Sequence, residues 1–159
     1  MDDYVQLLDQ LRQQEEELQF RRFDNDTALR IGLRLVEVAK AANKAITVDI
    51  VRNGHQVFHC ALAGTAPDND EWARRKGNVV TRFGHSSYYM GTHYRARGTT
   101  SEEASRLDLN QYAAHGGAFP IVVKDVGLIG SVAVSGLPQA EDHELVVGVL
   151  REFVRSEPS

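Results

Sequence analysis

Cysteine is nearly absent from this sequence, since Cys60 is the only one in 159 residues. A single thiol cannot form an internal disulfide, and this composition is typical of proteins in a reducing compartment. The N-terminal segment also lacks the basic stretch followed by an apolar run that marks a secretory signal. We therefore expect a cytoplasmic protein whose stability comes from an apolar core.

Excess basic charge and long apolar runs are also missing. The chain has 18 Lys and Arg residues against 22 Asp and Glu residues, which gives a formal net charge of −4. This balance argues against a nucleic-acid partner, because such a partner requires a concentrated basic surface. No stretch approaches the roughly 20 apolar residues needed to cross a bilayer, so we expect no membrane association. The length and the 42% hydrophobic content suit a single domain over residues 1–159.

Several well-defined catalytic motifs do not occur in the chain. It has no Walker-type phosphate loop, no GxSxG elbow, no HExxH and no CxxC pair. These absences weigh against NTP hydrolysis, standard esterase chemistry, zinc proteolysis and thioredoxin-like redox work. Cys60 follows His59 in a predicted strand, where neighbouring side chains point to opposite faces, so His59 is poorly placed to activate the thiol.

The most distinctive stretch is HGGAFPIVVKDVGLIGSVAVSGLPQAED, residues 115–142. Its pattern predicts a glycine loop, two strands joined by a tight turn, and a Gly-Pro break before a final helix. Gly116 and Gly117 let the backbone pass close to something, either a neighbouring strand or a ligand. Asp142 and His143 lie in the first turns of the final helix. The carboxylate suits the positive end of the helix dipole, but the two side chains could also hold a metal or move a proton.

A second pair of strands is predicted at residues 46–52 and 55–61, joined by Asn53 and Gly54 in a type I′ turn. A regular two-residue hairpin places His59 opposite Val48, on an apolar face. A histidine there is a hydrogen-bonded core residue, the wall of a subunit contact, or a ligand to a metal or haem.

Lys76 lies on a helix that we expect to begin with Asp68 and Glu71 as a capping box. It follows Trp72 by four residues and therefore shares the apolar face of that helix. A buried ammonium needs a partner, which leaves two possibilities for Lys76. Either its aliphatic chain is buried while its ammonium reaches water, or its ammonium faces an anionic ligand. Further helices are predicted at residues 3–18, after a cap within 24–26, and from Pro138 to about residue 154.

One pattern in the stretch 115–142 resembles that of a known family. It consists of the glycine pair followed by Pro-Ile, the segment GSVAVSG (130–136) and the Asp of the next helix. DNDEWARRK (68–76) and RFGHSSYYMG (82–91) extend the resemblance over nearly the whole chain. The family is that of haem-degrading domains, which includes haem-binding sensor proteins and glycolate-operon G proteins. The chain looks most similar to an uncharacterised cytosolic branch. The resemblance implies that Lys76 lies near the site and that the chains assemble into dimers or larger rings.

Together, the patterns and the resemblance predict an α/β (α+β) domain, a central antiparallel sheet flanked by helices on both sides in a profilin-like three-layer arrangement. Our first hypothesis is a small-ligand site for haem or another small carboxylate. Its expected residues are Lys76, His115, Gly116, Gly117, Asp142 and His143, and the candidate ligands to iron or a metal ion are His59, His115 and His143. The alternative is a non-catalytic homo-oligomeric scaffold or adaptor. The sequence leaves open whether any reaction is catalysed.

Overall fold

A computed structural model describes residues 2–158, which form six helices and four strands. In chain order these are α1 (Asp2–Glu17), α2 (Asn25–Ala41), β1 (Thr47–Arg52), β2 (His55–Ala61), α3 (Pro67–Phe83), α4 (Ser87–Ala96), α5 (Ser101–Ser105), β3 (Ala118–Val123), β4 (Gly127–Ser135) and α6 (Gln139–Arg155). Within residues 2–158, no helix combines the length and the apolar character needed to span a membrane.

The four strands form one antiparallel sheet in the order β2-β1-β4-β3. Helices α2 and α6 pack on one face and α3 packs on the other, which confirms the predicted α+β arrangement. Successive side chains of β4 point to opposite faces of the sheet, and helices cover both faces. Val132 and Val134 join the larger core beneath α2 and α6, whereas Ala133 packs against Ala73 of α3. The small side chain of Ala133 allows α3 to lie close to the sheet.

The β1–β2 hairpin has the predicted turn but a different register. Asn53 and Gly54 have φ angles of 52° and 77°, as a type I′ turn requires. A bulge between Ile50 and Val51 then shifts the pairing by one residue, so His59 lies opposite Asp49 rather than Val48. The predicted position of His59 on the apolar face was therefore wrong, because a one-residue shift moves a side chain to the other face of the sheet.

Helix α3 begins one residue earlier than the sequence indicated. Pro67 is its first residue, and Asn69 Oδ1 accepts a hydrogen bond of 2.9 Å from the Ala66 amide. The expected Asp68–Glu71 capping box was wrong, because Pro67 already begins the helix and Glu71 instead pairs with Arg74 at 2.7 Å.

Helix α1 lies against α4 and reaches α6 through individual side chains. Leu11 and Leu18 are buried, while Val5 is exposed. The narrow apolar stripe predicted for this helix is thus used within the chain. Its role in the candidate site is indirect, because it holds α6 through Gln14, as described below.

Candidate ligand site

A cavity of about 330 Å³ lies between α3, the end of β4, the start of α6 and the loop at residues 115–117. It is lined by Asn69, Trp72, Lys76, His115, Ser135, Gly136, Leu137, Gln139 and Asp142. The structure therefore brings together three of the residues that the sequence singled out, Lys76, His115 and Asp142. Ligand binding by these residues stays a prediction.

Lys76 is a buried cation at the wall of this cavity. Its position on the inner face of α3 leaves only 4% of the residue exposed. The Nζ atom donates hydrogen bonds to Asp142 Oδ2 at 3.0 Å and to the Val134 carbonyl at 3.1 Å. Burial lowers the pKa of the Lys76 ammonium, and the charge of Asp142 opposes that change. An ammonium has three donor positions, so these two bonds leave one for another acceptor.

Asp142 is the buried partner of Lys76, with 1% of the residue exposed. Its Oδ1 atom accepts a hydrogen bond of 3.1 Å from the Leu137 amide, so both oxygens have donors. Burial raises the pKa of Asp142 to about 6, although Lys76 and the Leu137 amide act in the opposite direction. Burial thus opposes the charged form of both residues, and their mutual attraction favours it.

The two loop glycines are required by close backbone packing. Gly117 has a φ angle of 139°, and a Cβ there would meet the Val134 carbonyl and lie 2.7 Å from Lys76 Nζ. Gly116 donates its amide to Gln139 Oε1 at 3.0 Å, and a Cβ there would meet the Gln139 carbonyl. Of the two explanations left open by the sequence, contact with neighbouring backbone accounts for both glycines. It also brings the loop against Lys76 and the start of α6.

His115 contributes a partly exposed imidazole at the rim of the cavity. Its ring packs edge-on against Trp72, with centroids 5.5 Å apart. The pKa of His115 is lowered by partial burial and then by the positive charges of Arg95, Lys76 and Arg75. These three positive charges lie near the rim, although the net charge of the chain is −4. Arg95 was not predicted as a site residue, because it belongs to α4 and lies 20 positions before the loop that contains His115.

A second cavity, of about 370 Å³, adjoins the first across Trp72 and His115. Arg75 stacks over the Trp72 ring at 4.4 Å from its centroid, and Arg95 lies on the same wall. Leu109 and Tyr112 add apolar surface to this cavity, and Arg75 donates a hydrogen bond of 3.3 Å to the Leu109 carbonyl. This second cavity was not anticipated from the sequence, because its wall combines α3, α4 and the long segment that precedes β3.

His143 does not line either cavity, although it follows Asp142 directly. The residue is 1% exposed, and its Nε2 donates to Gln14 Oε1 of α1 at 2.7 Å. Its Nδ1 has no partner among the described residues, and burial lowers the pKa of His143 to about 4. The structure thus separates His143 from the other predicted site residues, because successive helical positions point about 100° apart.

His59 also lies away from the cavities. Its ring nitrogens are 3.3 Å from Asp49 Oδ1 and 3.5 Å from Asp70 Oδ1. The three candidate metal-ligating histidines are therefore not brought together. Within residues 2–158, no group of three or more His, Cys, Asp or Glu side chains has an arrangement suited to a metal ion.

The fold agrees with the comparisons to known proteins. The model of the HbpS-like haem-degrading protein family matches residues 23–151, and the chain belongs to this family. Within it, the chain is 54% identical over 145 residues to a UPF0303 protein of Streptomyces coelicolor, covering 91% of this chain and 92% of the relative. A UPF0303 protein of Azotobacter vinelandii is 50% identical over 143 residues, covering 90% and 86%. The family resemblance inferred from the sequence is thus confirmed, and these relatives identify the branch as UPF0303.

Solved structures support the same fold. The crystal structure of the Ybr137w protein has a TM-score of 0.85 and 34% identity, covering 93% of this chain and 87% of that chain. The crystal structure of HbpS has a TM-score of 0.66 and 17% identity, with coverage of 86% and 92%. A haem complex of PduOC has a TM-score of 0.64 and 19% identity, with coverage of 78% and 89%. At such low identity, the last two structures show the fold alone.

Proposed function

We propose that this protein binds a small organic acid through its carboxylate in the cavity at Lys76. The observation that carries the proposal is a lysine, 4% exposed, whose ammonium lies at the cavity wall and has one donor position left. A carboxylate that accepts this bond would occupy the space between Lys76 and the first turn of α6.

The surrounding charge favours an anion at this position. Helix α6 begins at the cavity, where Leu137 and Gln139 form part of the wall, so the positive end of its dipole faces the ligand space. Asp142 offsets the charge of Lys76. However, neither Arg75 nor Arg95 forms an ion pair with a carboxylate in the described part of the chain. Both arginine side chains line the second cavity, which adjoins this rim.

The size of the cavity favours a small ligand. Pockets that hold drug-sized molecules have volumes of roughly 300–1,000 Å³, and this cavity is at the lower limit with about 330 Å³. A short-chain organic acid would fill it without requiring the second cavity.

The proposal can be tested by calorimetric titration of lactate and pyruvate into the purified protein. The double variant Lys76→Met, Asp142→Asn removes both charges of the buried pair while keeping similar volumes, so we expect its affinity to fall by at least about tenfold. Lys124→Met, at an exposed position, is the matched control and should bind like the wild type. Equal affinity in all three proteins would contradict the proposal.

Haem is a second candidate ligand, favoured by the cavity that adjoins the first. The residues present fit this group, because His115 at the boundary between the cavities could provide an axial nitrogen, and Arg75 and Arg95 could pair with the propionates. Bound haem would supply an iron centre for redox chemistry. In a hemin titration, His115→Ala should abolish the Soret shift of the wild type, whereas His143→Ala should retain it. Identical spectra for the two variants would remove the His115 assignment.

We also propose, as the alternative function, a homo-oligomeric scaffold. The observation that favours it is a pair of exposed leucines on α2, Leu29 and Leu33, which are 46% and 55% exposed and lie one helical turn apart. If this face joins copies of the chain, Leu33→Lys should lower the mass seen by mass photometry, whereas Val5→Lys on α1 should not. A monomeric wild type at all concentrations would refute the scaffold.

A cytoplasmic location is a further part of the proposal, supported by the single free Cys60. Fractionation of cells that produce the protein would test it, and recovery outside the cytoplasmic fraction would refute it.

A further inference from the structure

The buried pair at the cavity contains the two groups required for imine chemistry. Lys76 Nζ is a primary amine once it loses a proton, and Asp142 Oδ2 lies 3.0 Å away, within direct proton-transfer distance. Both residues line the same cavity, and both are more than nine-tenths buried. A pair with only a structural role would have no need of a ligand-sized space beside it.

We propose that Lys76 forms a covalent imine with a small oxo acid bound in this cavity, with Asp142 as the group that moves the protons. This inference rests on the proposed function and defines its ligand more narrowly, as a carboxylate that also carries a ketone or aldehyde. The carboxylate would lie toward the start of α6, and the carbonyl carbon would face Nζ.

The reaction balances without any additional reactant. The Lys76 ammonium gives a proton to the Asp142 carboxylate, and the free amine then adds to the carbonyl carbon to form a C–N bond. The C=O π bond opens, and the carbonyl oxygen receives the proton that the newly bonded nitrogen loses, which gives a neutral carbinolamine. Asp142 next protonates the hydroxyl group, the C–O bond breaks, and water leaves. The products are a protonated imine on Lys76 and one water molecule, and Asp142 is again a carboxylate.

The surroundings of Lys76 suit this role better than those of the other lysines. Lys40 and Lys124 are exposed, and Lys44 is partly exposed and pairs with Glu141 at 3.5 Å. Lys76 differs because burial lowers the pKa of its ammonium, which makes the neutral amine easier to form. A side chain at Gly117 is also excluded next to this amine, because a Cβ there would lie 2.7 Å from Nζ.

Reductive trapping provides the test. The full-length protein is incubated with pyruvate and cyanoborohydride, and the modified lysine is located by peptide mass spectrometry. We expect one reduced adduct per chain, on Lys76. Lys76→Arg, which keeps the positive charge but cannot form the imine, should lose this adduct, whereas Lys124→Arg should retain it. Modification confined to the surface lysines would overturn the inference.

Asp142→Asn tests the proton transfer separately. The asparagine can still accept from the Leu137 amide, but it cannot take up the proton of Lys76, so we expect trapping to slow by roughly 100-fold. An unchanged trapping rate would refute the assigned role of Asp142. Lactate, which has the carboxylate but no carbonyl, distinguishes the two proposals. If lactate and pyruvate both bind but no adduct forms, only the imine is overturned. If neither acid binds, the carboxylate site is overturned as well.

Discussion

Replacing Lys76 with methionine should destabilise the protein strongly, and by an amount that depends on pH. The substitution keeps most of the side-chain volume but leaves Asp142, which is 1% exposed, without its cation. Breaking a buried ion pair in this way costs about 3–5 kcal/mol. For a domain of this size, each kcal/mol corresponds to roughly 2–4 °C in Tm, so Tm should fall by about 6–20 °C.

The pH dependence follows from the folded-state pKa of Asp142, which burial raises to about 6 even with Lys76 present. A carboxyl whose pKa is higher in the folded state than in the unfolded state favours folding when it is protonated. Without Lys76 the pKa should rise further. The Lys76→Met variant should therefore recover much of its stability as the pH falls from about 8 to about 5, because Asp142 then becomes neutral.

Urea unfolding of the wild type, Lys76→Met and the double variant Lys76→Met, Asp142→Asn, each at about pH 5 and about pH 8, would measure these effects. The double variant should be more stable than Lys76→Met at the higher pH, since it has no unpaired buried charge. The reasoning would be refuted if Lys76→Met lost the same free energy of unfolding, relative to the wild type, at both pH values. It would also be refuted if the double variant were no more stable than Lys76→Met.

Three further predictions concern the stability of single-residue variants. Gly117→Ala should lower the free energy of unfolding by more than about 1 kcal/mol, because the φ of Gly117 is 139° and a Cβ would meet the Val134 carbonyl. In thermal melts, the control is Gly148→Ala, because a Cβ at Gly148 meets no other atom. His143 has a folded-state pKa of about 4, so the protein loses stability as the pH falls from about 6.5 to about 4. In urea titrations over that pH range, His143→Gln should lose about 3 kcal/mol less free energy of unfolding than the wild type. The same loss in both proteins would contradict this prediction. Gly54→Ala should cost about 1 kcal/mol at the hairpin turn, where φ is 77°, and an unchanged urea midpoint would argue against the turn type.

The local features of the fold were predictable because neighbouring residues determine them. Asp24 caps α2 by accepting from the Thr27 amide, and Gly84 ends α3 with a φ of 71°. The Asn53–Gly54 turn has the predicted positive φ angles for the same reason. Each depends on contacts within a few residues, so the sequence pattern contains the required information.

The errors arose where distant residues decide the outcome. The bulge in β1–β2 moved His59 to the face of Asp49, although no residue in the hairpin signalled it. His143 points away from the cavity because it follows Asp142 on the same helix, and its partner Gln14 lies 129 positions earlier in the chain. Packing between separate elements selects such arrangements, and their energies depend on partners that are not neighbours in the chain.

The sequence alone therefore determined the class of fold, the family, and the grouping of Lys76, His115 and Asp142 as candidates for one site. Periodicity and turn residues predict the class of fold, because they report which face each side chain takes within its own element. The family, and the placing of Lys76 near the site, came from the resemblance based on segments such as GSVAVSG. The tertiary structure decided that Lys76 and Asp142 form a buried pair, that Gly117 lies against Nζ, and that a second cavity adjoins the first. These features arise only when α3, β4 and α6 pack together, since burial and the resulting pKa changes belong to the assembled core.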